Sequence, residues 1–118
     1  MVFVDNKRLS SVISELLKQY KALKVYLDNK RELEEKGLPR LFPTVADRHE
    51  LKQLQFTQIN RAIESLDPLE RQIIDQKFLN PIKEKDLSIY SSMGINKDKY
   101  YKFKGQALNK IAIVLNLI

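Results

Sequence analysis

Residues 96–105, NKDKYYKFKG, alternate lysines with aromatic side chains. Ammonium groups contact phosphates, and lysine and asparagine side chains can also donate hydrogen bonds to the edges of bases. These residue types therefore favour non-covalent binding of a polyanion. The alternative is the solvated, lysine-rich face of an ordinary helix, and composition alone does not separate the two.

The charge of the chain is unevenly distributed. The net charge is +6, and residues 81–118 contain seven lysines against three acidic residues, a net of +4. A basic segment of this kind is typical of proteins that bind nucleic acid.

Several classes of site are excluded by residue type. The chain has no cysteine and a single histidine, His49, so thiolate chemistry and two-histidine metal motifs are ruled out. We find no paired carboxylates, nucleophile–base pair or phosphate-binding glycine loop, and we expect no enzyme activity, no cofactor and no metal. No apolar run is long enough for a signal peptide or a membrane span, so we expect a cytoplasmic protein with no membrane partner.

The elements that must position the basic segment are predicted to be helices throughout, an all-α fold. The 118 residues include only three glycines and four prolines, and no alternating strand pattern occurs. A long helix is predicted from about residue 7 to residue 36, ended by Gly37. Its apolar seam comprises Leu9, Ile13, Leu16, Tyr20, Leu23 and Leu27, and Val12 and Leu17 widen it. This seam could form a homodimer contact or cover a second helix of the same chain.

A linker containing Pro39 and Pro43 follows, because proline interrupts a helix. Its apolar residues Leu38, Leu41 and Phe42 are expected to pack onto the protein. The predicted organisation is therefore residues 1–48, the long helix and linker, and residues 49–118, a helix-turn-helix domain, in one compact unit.

The second helix is predicted to begin at Asp47, with Glu50 completing a capping box. Its apolar side would comprise Leu51, Leu54, Ile59, Ala62, Ile63 and Leu66. A stronger start signal lies at Asp67, Pro68 and Glu70, which predicts a third helix reaching about Asn80.

Residues 86–105 fit the pattern of a helix-turn-helix. Gly94 occupies the ninth position, where the turn needs a positive φ. The five positions that lock the two helices together are all apolar: Ile89, Met93, Ile95, Tyr100 and Phe103. Tyr90 stands where a small residue is usual, which implies a wide crossing or an outward-turned ring.

At 100° per residue, the last helix has a predicted core stripe of Tyr100, Phe103, Ala107, Ile111 and Val114. The candidate base-facing residues at its start are Asn96, Lys97, Asp98, Tyr101 and Lys102. Lys99 and Lys104 are candidate phosphate contacts, and Gly105 leaves room for the phosphate backbone. Asn96 is also a good helix cap, a role compatible with DNA contact.

The last 50 residues resemble the ArpU family of phage transcriptional regulators. The family's ER-x-II helix corresponds to Glu70, Arg71, Ile73 and Ile74, and its glycine turn corresponds to Met93, Gly94 and Ile95. Two further elements match the family: the tyrosine pair Tyr100 and Tyr101, and the ending Ala107, Lys110, Ile111 and Ala112. Members of the family resemble this chain in having a tyrosine at the helix crossing, where Tyr90 stands. The same region is similar to region four of bacterial sigma factors.

The resemblance implies a sequence-specific, double-stranded DNA-binding regulator of a phage, prophage or mobile element. It would activate late genes in the cytoplasm of a bacterial host, with RNA polymerase as a candidate protein partner. Two alternatives remain open at this point: a DNA-packaging component like the small terminase subunit, and a helical protein-interaction module that binds no DNA.

Overall fold

The computed structural model describes residues 6–118, and over this range the fold is all-α. The helices are α1 (Asn6–Glu35), α2 (His49–Glu64), α3 (Pro68–Ile74), α4 (Asp86–Met93) and α5 (Lys97–Val114). A π-helical turn, Asp75–Leu79, extends α3. The predicted long first helix, followed by a helical bundle, is confirmed.

Helices α1 and α2 form an antiparallel hairpin. The rings of Tyr20 and Phe56 stack with centroids 5.1 Å apart, and Tyr20 Oη donates to Asn60 Oδ1 at 2.9 Å. Further along α1, Tyr26 Oη and His49 Nδ1 share a hydrogen bond of 2.5 Å. Because contacts move toward the start of α2 as α1 proceeds, the two helices run in opposite directions.

The main core takes residues from α1, α2, α3 and α5, so it draws on both of the predicted segments. Its buried members are Leu9, Ile13, Leu17, Tyr20, Ile59, Ala62, Ile63, Leu66, Ile74, Ala107, Leu108, Ile111 and Ala112. The first half of the α1 seam is therefore used within the chain, with Leu17 more deeply buried than Leu16. Of the two uses left open for the seam, the structure shows the intrachain one.

The predicted start of α2 is wrong. The helix begins at His49, and Asp47 lies outside it, accepting a hydrogen bond from the His49 N–H at 3.2 Å. Arg40 forms an ion pair with the same carboxylate at 3.1 Å, so Asp47 anchors the linker instead of capping the helix with Glu50. Leu51 and Leu54, predicted to be buried, are more than half exposed.

The start of α3 agrees with the prediction. Pro68 is the first helical residue, and the Asp67 N–H donates to Glu70 Oε1 at 2.8 Å. Glu70 is fully buried, and the same oxygen accepts a hydrogen bond from Lys110 Nζ at 2.7 Å. This cap therefore also ties α3 to α5. The π-helical turn then directs Phe78 and Leu79 onto the main core.

Two further burial predictions are wrong. The linker residues Leu38, Leu41 and Phe42 are exposed, because the linker is held by its own polar contacts and does not pack on the bundle. On α5, Val114 is 45% exposed, whereas Leu108 and Ala112 are buried. Helices α1 and α2 both pack on α5 and so widen its buried face beyond the predicted stripe.

Candidate nucleic-acid interface

The turn between α4 and α5 has the backbone geometry that its glycine predicts. Gly94 adopts φ +69°, and the Ile95 N–H donates to the Tyr90 carbonyl at 3.2 Å. Together with a bond from the Gly94 N–H to the Ser91 carbonyl, this closes the end of α4 in a Schellman motif. The turn thus sets the angle at which α5 leaves α4.

A second, smaller core joins α4 to α5. Ile73, Ile89 and Tyr100 are buried in it, and Leu69, Tyr90, Met93, Ile95 and Phe103 pack around them. All five of the predicted locking positions are therefore in contact here. Tyr90 is half-buried, and its ring lies against Tyr100 with centroids 5.5 Å apart, so the crossing accommodates the large side chain.

The start of α5 is capped as predicted. Asn96 is the N-cap residue, and its Oδ1 accepts a hydrogen bond from the Lys99 N–H at 2.8 Å. The Asn96 side chain remains exposed although it caps the helix. The capping bond is therefore compatible with a contact to DNA, which stays a prediction.

The outer face of α5 exposes most of the candidate contact residues. Exposed members are Lys97, Asp98, Lys99, Tyr101, Lys102 and Gly105. No atom lies within 4 Å of the position that a Cβ on Gly105 would take, so the backbone there is open to close approach. The structure therefore leaves six candidates, together with Asn96, accessible along the first half of α5, the second helix of the helix-turn-helix.

Lys104 differs from the other candidates. Its side chain is 13% exposed, and its Nζ lies 3.1 Å from Asp86 Oδ1. The ammonium is thus already paired with a carboxylate of the same chain, which favours a structural role over the predicted phosphate contact.

Asp86, at the start of α4, is the centre of a polar cluster. Its Oδ1 accepts hydrogen bonds from Tyr100 Oη at 2.5 Å and Lys104 Nζ at 3.1 Å. Tyr101 Oη donates to Oδ2 at 3.3 Å, and Lys77 Nζ lies 3.5 Å from Oδ1. One carboxylate therefore links α4, α5 and the π-helical turn.

This cluster gives Tyr101 a structural contact that the helical pattern did not predict. The ring is 44% exposed, packs edge-on against Tyr100, and has Lys104 Nζ 5.6 Å from its centroid. Its hydroxyl is oriented by Asp86, so the ring is held in place on the outer face.

Sequence reasoning assigned no role to Asp86 or Lys77. A usable signal was present, since Tyr100 and Lys104 are one helical turn apart and hence share a face of α5. An acidic residue in the first turn of α4 is the natural partner for that pair, but the pairing spans 14 and 18 residues in sequence.

The environment of the cluster shifts the pKa of its members. Burial by itself raises the pKa of Asp86, but hydrogen bonds from Tyr100 and Lys104 and the charges of Lys104 and Lys77 outweigh it and lower that pKa. Burial, followed by the hydrogen bond to Asp86, raises the pKa of Tyr100 far above its usual 10.0. Both shifts favour a carboxylate bound by a neutral phenol.

Raising the pH into the alkaline range should remove the contribution of Tyr100 to the free energy of unfolding. A group whose folded-state pKa is raised stabilises the fold fully below its unfolded pKa and loses this contribution as the pH rises. The free energy of unfolding should therefore fall above pH 10.0, and less steeply in Tyr100→Phe. Tyrosinate absorbance during titration should show one tyrosine that ionises only as the wild type unfolds. An equally steep loss of stability above pH 10.0 in the wild type and in Tyr100→Phe would contradict this prediction.

Residues 6–118 contain neither a candidate metal site nor a candidate membrane-spanning helix. No cluster of three or more histidine, cysteine or acidic residues that could hold a metal ion occurs in this range. Nor does any helix there combine the length and the apolar character that crossing a membrane requires.

No protein-family model, curated protein or solved structure matches the chain significantly.

Proposed function

We propose that the chain is a sequence-specific, double-stranded DNA-binding transcriptional regulator that reads the major groove with the start of α5. The observation that supports this best is the division of α5 into two faces. Tyr100, Ala107 and Ile111 are buried, while Asp98 and Lys102 project from the opposite, accessible side and Lys97 is exposed at the edge of the buried stripe. A helix held by one face, with lysines and a cap amide on the other, is the arrangement of a recognition helix.

The individual contacts follow from side-chain chemistry. Lys97 and Lys102 would donate to guanine O6 and N7, and Asn96 would pair with adenine where it reaches a base edge. Asp98 would accept from cytosine N4 or orient a neighbouring lysine, and Tyr101 would lie against the groove wall. Lys99 would contact a phosphate, which positions the helix without specifying sequence.

The biological setting of the proposal rests on the resemblance to the ArpU family and to sigma factor region four. It comprises a phage, prophage or mobile element whose late genes the regulator activates in the cytoplasm of a bacterial host, without catalytic activity of its own. Contact with RNA polymerase, and a homodimer that involves the N-terminal helix, belong to the same proposal.

Loss of the Lys102 ammonium should weaken DNA binding without unfolding the protein. A duplex would be selected from a random-sequence pool and its affinity measured by fluorescence anisotropy at several salt concentrations. Lys102→Ala should weaken binding by about 1–3 kcal/mol if it contacts a base, whereas Lys99→Ala should weaken all duplexes similarly and reduce the salt slope by about one.

Lys24→Ala is the matched control, because Lys24 is an exposed lysine on α1. Tyr101→Phe tests the hydroxyl separately from the ring, since it keeps the aromatic surface and removes only the hydroxyl that meets Asp86. If the wild type retains no duplex at low salt, the DNA-binding proposal is wrong and the protein-interaction module is favoured. If Lys24→Ala and Lys102→Ala behave alike, the assignment of the face is wrong.

A further inference from the structure

The hydroxyl of Tyr101 is engaged within the chain, although the residue lies on the exposed side of α5. Its Oη donates to Asp86 Oδ2 at 3.3 Å, and Tyr100 donates to the other oxygen of the same carboxylate. A phenol has one proton to donate, so a hydroxyl that gives it to Asp86 has none left for a base. The polar end of Tyr101 is therefore turned toward the start of α4.

The ring of Tyr101 is fixed by its neighbours. It packs edge-on against Tyr100, with centroids 5.2 Å apart and ring planes at 80°, and Tyr100 has no exposed surface. Lys104 Nζ lies 5.6 Å from the centroid of the Tyr101 ring and is itself paired with Asp86. Because these contacts already orient the ring, little side-chain entropy is lost when a ligand covers it.

The part of Tyr101 that a ligand can reach is chiefly hydrocarbon. The residue is 44% exposed, and its one polar group is the hydroxyl that meets Asp86. Gly105 lies one helical turn further along the same face, and no atom lies within 4 Å of the position that its Cβ would take. No side chain at that position holds a ligand away from the ring, so the ring is open to close contact.

In the major groove of DNA, one base presents an apolar group. Thymine carries a C5 methyl group there, whereas the edges of adenine, guanine and cytosine present hydrogen-bond donors and acceptors. Covering such a polar atom with hydrocarbon removes its water without supplying a hydrogen bond, which costs free energy. Covering the methyl group instead removes apolar surface from water on both sides of the contact. The exposed ring of Tyr101 is thus suited to thymine.

We propose that Tyr101 is a specificity-determining residue, whose ring recognises the C5 methyl group of a thymine by apolar contact. The inference rests on the proposed function, since it requires the start of α5 to lie in the major groove. Asp86 and Tyr100 act as positioning residues, which orient the ring without touching the DNA. The contact of Tyr101 with the groove then carries sequence information and does more than position the helix.

Removal of single methyl groups from the DNA tests the proposal. In the duplex selected for the wild type, each thymine is replaced in turn by uracil, which lacks only the C5 methyl group. Affinity is measured by fluorescence anisotropy. At one or more positions within the binding site it should fall by about three- to fivefold, as expected for exposing one buried methyl group.

Variants of Tyr101 identify the side chain that contacts the methyl group. The ratio of the affinities for the thymine and uracil duplexes is taken within one protein, so a partly unfolded variant does not distort it. Tyr101→Ala should bring this ratio to about one, whereas Tyr101→Phe should preserve it because the ring is retained. Lys99→Ala is the matched control, since Lys99 is exposed on the same helix. It should weaken binding to both duplexes and leave the ratio unchanged.

Three results would overturn this inference while leaving the DNA-binding proposal in place. The first is equal affinity for thymine and uracil at every position of the selected duplex. The second is a thymine preference that survives in Tyr101→Ala. The third is a preference that Tyr101→Phe abolishes as completely as Tyr101→Ala, because the hydroxyl and not the ring would then make the contact. A wild type that binds no duplex at low salt would overturn both proposals.

Discussion

Ile13→Ala is expected to lower the free energy of unfolding by about 2–5 kcal/mol, the range for removing a buried isoleucine side chain and leaving a cavity. Ile13 has no exposed surface and lies in the main core, between α1 and the helices that α1 covers. The effect would be large for a domain of this size, whose total stability is typically about 5–15 kcal/mol. Chemical denaturation followed by circular dichroism would measure it.

The neighbouring residue provides the control. Val12 is 39% exposed, so Val12→Ala removes fewer buried contacts and should change stability by about 0.5 kcal/mol or less. Measurements at low protein concentration keep dimerisation out of the comparison. Equal, small effects of the two substitutions would mean that α1 is an independent arm, and the single-core description of the fold would fail.

Asp86→Ala is expected to lower the free energy of unfolding by about 2–3 kcal/mol and, under the proposed DNA-binding function, to reduce DNA affinity as well. Removing the carboxylate leaves the buried Tyr100 hydroxyl without its acceptor and the Lys104 ammonium, only 13% exposed, without its closest counter-charge. It also releases the Tyr101 hydroxyl. The orientation of the outer face should therefore be lost together with stability.

For stability, Asp98→Ala separates this effect from a simple change of charge. Asp98 is an exposed acidic residue in the first turn of α5, and its removal should cost at most about 1 kcal/mol. A double-mutant cycle between Asp86→Ala and Tyr100→Phe should show a coupling energy of at least about 0.5 kcal/mol. If the two substitutions are additive, the hydrogen bond between these residues is not what makes Asp86 important.

The linker shows where sequence patterns mislead. Leu38, Leu41 and Phe42 were expected to pack on the protein because their side chains are apolar. The structure instead uses polar contacts from Arg40 and Asp47 to hold the linker, and the apolar side chains stay exposed. Hydrophobicity predicts that such residues need a partner, but it does not say whether the partner is the same chain.

Local signals account for the parts of the fold that the sequence predicts well. Gly37 and Gly94 end helices because a positive φ is needed there, and Asp67, Pro68 and Asn96 begin helices because they suit the first turn. Each of these signals acts within a few residues. The all-α fold, the glycine turn and the capped start of α5 could therefore be derived from the amino-acid order alone.

Contacts between distant residues could not be derived in this way. The pairing of Asp86 with Tyr100 and Lys104, the bond from Lys110 to Glu70, and the deeper burial of Leu17 than of Leu16 depend on how helices cross. A helical pattern defines which side chains share a face, but a turn of a few tens of degrees about the helix axis changes which of them are buried. Packing of the whole bundle sets that rotation, and with it the difference between the exposed Lys102 and the paired Lys104.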